Sequence, residues 1–293
     1  MNAAGQNALR PPGRGSPPPV DAPAASHDPG GGRRAAPRDR NFIEPLARGL
    51  TVLEAFTPND CWLGNLEIAA RVKMPNATVN RLLKSLTRLG YLSFSPQLRQ
   101  YRLAPSVLSL GYAAVANSNM RRLLRWHMQE LADRLNVFVT FGQRDRLDIV
   151  LLDVCHSNSS LVTLRLEEGM RLPIAETAMG WALMAALPEE ERVYLITHIK
   201  RRYGASWGAV ERRIARAFAQ IRRSGYCTSL GVWRAEITTV AVPLVPVDRS
   251  AALVLGCASA APYLPTGRIS QEIGPALVAL ARHLSQELPH DDR

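Results

Sequence analysis

The chain has 293 residues, 46% of them apolar, and a net charge of +11. That length suits about two domains with packed cores, and the charge calls for an acidic partner such as DNA, RNA or anionic lipid. Its four cysteines (Cys61, Cys155, Cys227, Cys257) are scattered, with no C-x-x-C or Cys/His cluster. Free thiols in a reducing cytoplasm are therefore expected, and no metal site or cofactor.

Residues 1–41 are rich in Pro, Gly, Ala and Arg and have no apolar pattern. They cannot bury enough surface to offset the entropy of ordering, so a disordered tail is expected. They also lack the apolar core of a signal peptide. The longest uncharged apolar stretch, Ala251 to Pro265, is too short to cross a bilayer. A soluble cytoplasmic protein with no membrane partner is the expectation.

Order should begin near Phe42. "IEPLARGLTVLEAF" puts Leu46, Leu50, Leu53 and Phe56 on one helical stripe. A second helix is expected from Asn65, an N-cap candidate, with Ile68, Ala69 and Val72 turned inward. A third is expected from Pro75, with Val79, Leu82, Leu83, Leu86 and Leu89 as its apolar face and Gly90 closing it. "YLSF" and "QYRL" then read as a short hairpin around "SPQLR".

Two short helices, a tight turn and a hairpin predict a winged helix-turn-helix whose third helix enters the major groove of DNA. From Ala70 to Leu103 the chain carries Arg71, Lys73, Arg81, Lys84, Arg88, Arg99 and Arg102 and no acid, as a surface lying against phosphates requires. Asn76, Thr78, Asn80, Arg81, Lys84 and Ser85 are candidate base-reading residues, because Arg matches guanine and Asn matches adenine. Arg71, Arg88, Arg99 and Arg102 are candidate phosphate contacts. A basic amphipathic helix is often only a solvated face; here the turn, Pro75, Gly90, the hairpin and the missing acids coincide.

Beyond about Met120, "NVFVTFGQRDRLDIVLLDVC" reads as two strands, "ETAMGWALMAAL" and "AVERRIARAFAQIRRSGY" as helices, "ITTVAVPLVPV" and "AALVLGCASA" as strands, and "ISQEIGPALVALARHLSQEL" as a terminal helix. The mixture predicts an α+β domain. "GASWG" at Gly204–Gly208 matches the G-x-S-x-G elbow of hydrolases, which would make Ser206 a nucleophile with Asp248 and His283. The segment before it has helical spacing, so a loop between helices is the better reading. His127, His156 and His198 look isolated.

From Phe42 to about residue 288 the chain resembles the IclR-type family of bacterial transcriptional regulators. The resemblance rests on "LARGLTVLEAF", "LEIAARVKMPNATVNRLLKSLTRLGYL", "YRLAPSVLSLG", "RLPIAETAMGWALMAAL", "IRRSGYCTSLG" and "AVPL", in that order. It implies a winged helix-turn-helix over residues 42–104, a linker helix over 105–119, and a GAF-like effector-binding and oligomerisation domain over 120–288. It also implies dimers, or dimers of dimers, and a small organic or aromatic acid as effector; because a two-fold dimer presents two such helices, a pseudo-palindromic operator is expected. By position the resemblance implies effector contacts from Thr177, Ala178, Met179, Ser229, Thr239, Cys257 and Ser259. The chain departs from the family where Ala175 and Trp181 stand in place of histidine and lysine, and where Ser229 and Thr239 replace an Asp and a Cys. Two readings stay open beside an acid-responsive regulator: a hydrolase using Ser206, and a regulator whose second domain only oligomerises.

Overall fold

The computed structural model describes residues 41–58, 60–116, 119–157, 164–246 and 253–287. The expected tail, apart from residue 41, and Asp248 lie outside them. The chain divides into two compact units between Gly111 and Tyr112.

In the first unit, α1 (Glu44–Glu54), α2 (Asn65–Val72) and α3 (Asn76–Arg88) pack beside a three-stranded antiparallel sheet. The sheet has the order β1 (Leu63–Gly64), β3 (Gln100–Leu103), β2 (Leu92–Ser95). Val52, Leu63, Ile68, Val79, Leu83, Leu92 and Tyr101 form the core. Three local expectations are corrected. On α1 it is Val52 that is buried, while Leu46 and Leu50 are 61% and 53% exposed. Leu89 is exposed as well, because α3 has already ended at Arg88. Asn65 does not cap α2: Gly64 holds that position, and Asn65 Oδ1 is buried without a partner. The turn into α3 is sharp because Lys73 adopts a left-handed φ of 53° and Met74 N–H bonds back to Ala69 O. Pro75 precedes α3 and its carbonyl accepts from Thr78 N–H, so proline starts the helix without needing a donor of its own. Gly90, at φ 80°, lets Tyr91 N–H reach Leu86 O and closes the helix. Helix α4 (Pro105–Ala116) follows.

The second unit is built on a six-stranded antiparallel sheet ordered β6-β5-β4-β9-β8-β7. Its strands are β4 (Phe138–Asp145), β5 (Asp148–His156), β6 (Arg171–Pro173), β7 (Cys227–Leu230), β8 (Ile237–Leu244) and β9 (Leu253–Ala260). One face carries α6 (Ala178–Ala186), α7 (Glu189–Tyr203) and α8 (Trp207–Ser224), packed on residues such as Phe138, Ile237, Ala241 and Ala258. The other carries α5 (Asn119–Leu135) and α10 (Gly274–Glu287), packed on Val139, Val240, Val242, Leu255 and Cys257. Alternation along each strand sends neighbours to opposite cores. A single α-turn, α9 (Thr266–Arg268), and a π-helical segment (Ile269–Ile273) lead into α10. Helix α5 and the short strands β1, β6 and β7 had no counterpart in the sequence reading.

The hydrolase elbow is absent. Ser206 is exposed at the end of a 3-10 turn (Gly204–Ser206) between α7 and α8, with no strand before it. His283 sits on α10 and pairs with Glu287 one turn on.

Candidate functional site

In the first unit, α3 turns Val79, Leu83 and Leu86 inward. Asn76, Asn80, Arg81, Lys84, Ser85 and Arg88 remain exposed, and Thr78 is half-buried. Among the described residues Arg81, Lys84, Arg88 and Arg99 make no ion pair, so their charges face water. Ser85 donates its hydroxyl to Arg81 O (3.0 Å), which ties it to the helix backbone. Arg99 sits in the hairpin turn at φ 54°, its N–H bonded to Ser95 O. Arg102 lies over the Trp62 ring, 4.9 Å from the centroid, which limits its reach.

Arg71 is engaged within the protein. Its guanidinium donates to Asp60 Oδ1 (2.9 Å), Glu67 Oε1 (2.9 Å) and Ala55 O (3.0 Å), binding α2 to the loop after α1. The hydrogen bond from Arg71 is the largest cause that holds the Asp60 carboxyl down at about 2; bonds from Thr57 assist and burial opposes. Charge count alone cannot separate such an arginine from a phosphate contact.

In the second unit, a narrow cavity lies between the sheet and α6. Thr140, Thr177, Ser229 and Thr239 line it together with Met179, Leu172, Ile237 and Ala258. Ser229, Thr239 and Ala258 are register partners across β7, β8 and β9, which sets them in one row on that face. Thr177 caps α6: its Oγ1 accepts from Gly180 N–H (3.2 Å) and donates to Pro173 O (2.9 Å). The opening N–H groups of α6 have no partner within the helix, so they point a partial positive charge outward. Gly180 allows this placement, because a Cβ there would lie 2.1 Å from Ile174 O.

The hairpin loop between β7 and β8 closes the cavity with Trp233 and Arg234. Arg234 stacks on Trp233, its guanidinium carbon 4.5 Å from the ring centroid. Among the described residues it is the one charged residue lining the cavity. Sequence reasoning missed Thr140, Trp233 and Arg234; the adjacent Trp-Arg in a polar loop was the available signal.

Three expected effector residues lie elsewhere. Cys257 is fully buried on the opposite face of the sheet, where burial pushes its thiol up to about 12. Ser259, two residues on, shares that parity. Ala178 is packed inward, its carbonyl accepting from the Cys227 thiol (3.3 Å). The departures at Ala175 and Trp181 are also explained: both are buried, and the indole N–H donates to Ala175 O (2.9 Å). Nearby Tyr203 donates to Glu176 (2.7 Å), and burial, then that carboxylate, raises its phenol above the ordinary value.

Known proteins share both units. Residues 45–96 match the family model described as the IclR helix-turn-helix domain, and residues 112–286 the model described as bacterial transcriptional regulator IclR C-terminal. Over 248 residues the chain is 31% identical to the HTH-type transcriptional regulator TsaQ1/TsaQ2 of Comamonas testosteroni, spanning 84% of this chain and 89% of that protein. The crystal structure of an IclR family transcriptional regulator from Brucella abortus is similar at 38% identity and TM-score 0.77, over 86% of this chain and 94% of that one. An IclR homolog from Microbacterium hydrocarbonoxydans, solved with 4-hydroxybenzoate, has the same fold at 21% identity and TM-score 0.59, over 82% and 99% of the two chains.

Proposed function

The chain belongs to the IclR family of bacterial transcriptional regulators, and from that premise we propose that it reads a pseudo-palindromic operator through α3 and responds to a small organic acid held beside α6. Residues 42–104 serve as the operator-binding domain, 105–119 as the connection, and 120–288 as the domain for effector and self-association. Asn76, Asn80, Arg81 and Lys84 meet base edges, and Arg88 and Arg99 meet phosphates. The observation that carries the DNA reading is the exposed side of α3, which is free of acids and whose cations make no ion pair among the described residues. The exposed apolar side chains of Phe42, Ile43, Leu46 and Leu50 at the start of the first unit support pairing of two copies, and two-fold pairing presents two reading helices.

The acid reading rests on Arg234. Arg234, Thr140, Ser229, Thr239 and Thr177, the N-cap of α6, line the cavity, with no acidic residue among the described ones, a set that favours a carboxylate. Among the described residues no helix is long and apolar enough to cross a membrane; action in the cytoplasm, where the operator lies, is part of the proposal.

Genome-wide mapping of sites bound by the full chain tests the DNA reading. Bound sites sharing an inverted repeat are expected, and Arg81→Ala should relax preference at one position per half-site at a cost of about 1–3 kcal/mol. An asymmetric single half-site, or unchanged preference in Asn80→Ala and Arg81→Ala, refutes the assignment of α3.

A further inference from the structure

Two helices of the second unit bring three metal-ligating side chains to one point. His127 lies on α5, and His283 and Glu287 lie one turn apart on α10. Nε2 of His127 is 3.5 Å from Oε2 of Glu287, and Nε2 of His283 is 3.1 Å from Oε1 of the same carboxylate. The two imidazoles meet edge to face with centroids 4.9 Å apart. One ligand atom from each residue falls within 4.8 Å of the others.

These spacings have a specific meaning. Around a tetrahedral zinc ion with bonds of about 2.0–2.1 Å, neighbouring ligand atoms stand about 3.3 Å apart. The two nitrogen–oxygen separations, one to each oxygen of the Glu287 carboxylate, lie near that value, and the three ligand atoms, all within 4.8 Å of one another, need only small side-chain rotations to close on an ion. An ion pair on α10 alone would satisfy His283 and Glu287; it would not require a second imidazole from another helix against the same carboxylate. His127 is also the best shielded of the three, its side chain 17% exposed against 47% for His283 and 38% for Glu287, with the Trp126 ring 4.7 Å away and set edge to face.

We propose that His127, His283 and Glu287 form a binding site for a divalent transition metal, zinc in the first instance, with water completing the tetrahedron. Two imidazoles and one carboxylate suit zinc; calcium and magnesium favour oxygen ligands throughout. The site is separate from the effector cavity: α5 and α10 cover one face of the sheet and the cavity opens on the other. A bound ion clips α5 to α10, and since only the folded chain assembles the ligands, binding stabilises the fold.

The test uses the full-length protein, stripped with a chelator and titrated with Zn²⁺ in competition with a chromophoric indicator. One equivalent per chain is expected, with a rise in melting temperature. His127→Ala and His283→Ala should each weaken binding by more than the roughly 10–100-fold that loss of an outer-shell partner costs. Cys61→Ser removes the exposed thiol and should leave uptake unchanged. Absence of uptake by the wild type, or uptake that survives the folded His127→Ala/His283→Ala double variant, overturns the proposal. If those variants do not fold, Co²⁺ bound to the wild type decides. Visible d–d bands without a sulfur charge-transfer band are expected, and a thiolate band places the metal elsewhere.

Discussion

Asp60 shows how one residue couples charge to stability in the first unit. Its carboxylate accepts from Arg71 and from the N–H (2.8 Å) and hydroxyl (2.6 Å) of Thr57. Its folded value of about 2 lies below the unfolded value of about 3.9, so the pairing stabilises above pH 4 and is lost as pH falls toward 2. Solvent reaches the Arg71 side, so the contribution is held to about 1 kcal/mol. Asp60→Asn should therefore lower stability by about that amount at neutral pH, and urea melts of variant and wild type should converge near pH 2. A gap that persists at pH 2 would assign the effect to packing. The cysteines give a second residue-scale expectation. Cys155, Cys227 and Cys257 are buried and Cys61 is exposed, and burial raises the Cys227 and Cys257 thiols well above their ordinary value. In native protein one thiol per chain should react quickly with a disulfide reagent, with the rest released on unfolding.

At the scale of an element, the placement of α6 depends on a close approach. Gly180 sits in its first turn against the backbone of Ile174, with no room for a methyl group. Gly180→Ala should cost about 1–3 kcal/mol or more through overpacking, and it should displace the helix start that lines the cavity. Gly208, on α8, is the control: the nearest heavy atom to its added Cβ is the far end of Arg212 at 3.7 Å. There the same substitution should be neutral or stabilise by about 0.4–1 kcal/mol, because alanine restricts the unfolded chain. Thermal melts of the two variants compare identical chemistry in opposite surroundings. Equal effects would remove the close approach as the reason for glycine at 180.

At the scale of the whole molecule the expectation is linkage between effector and operator. A carboxylate bound only by the folded chain raises stability by about 2.7 kcal/mol at a hundredfold excess over its dissociation constant. It changes operator affinity only if it binds the DNA-competent and incompetent states unequally. With a panel of small aliphatic and aromatic carboxylates as probes, a thermal shift and a change in operator affinity are expected together. Both should be much reduced in Arg234→Ala, with operator binding by the acid-free protein kept. A panel giving neither change in wild-type protein would favour a second unit that only oligomerises. Operator binding itself should weaken with salt at a slope of roughly −0.9 per phosphate neutralised, and Arg99→Ala should flatten that slope by about one.

By itself the sequence determined what is local. The 3.6-residue spacing of Val79, Leu83 and Leu86 and the punctuation by Pro75 and Gly90 were enough to specify α3 and the hairpin after it, since helix periodicity and turn chemistry act over a few residues. The order of motifs carried the family. Tertiary structure decided what depends on register and on distant partners. Strand alternation sends Thr239 and Ala258 into the cavity and Cys257 and Ser259 away from it, and only the pairing of β8 with β9 fixes that parity. Arg71, one of the basic residues in the run from Ala70 to Leu103, is bound by Asp60, eleven residues earlier, a pairing that charge count does not reveal. Leu46 and Leu50 fit an inward stripe by period but stay exposed, because burial depends on which neighbours arrive. His127 and His283 lie far apart in sequence, where His127 looks isolated and His283 fits only the hydrolase reading. They meet because α5 and α10 cover the same face of one sheet, a contact that no local pattern encodes.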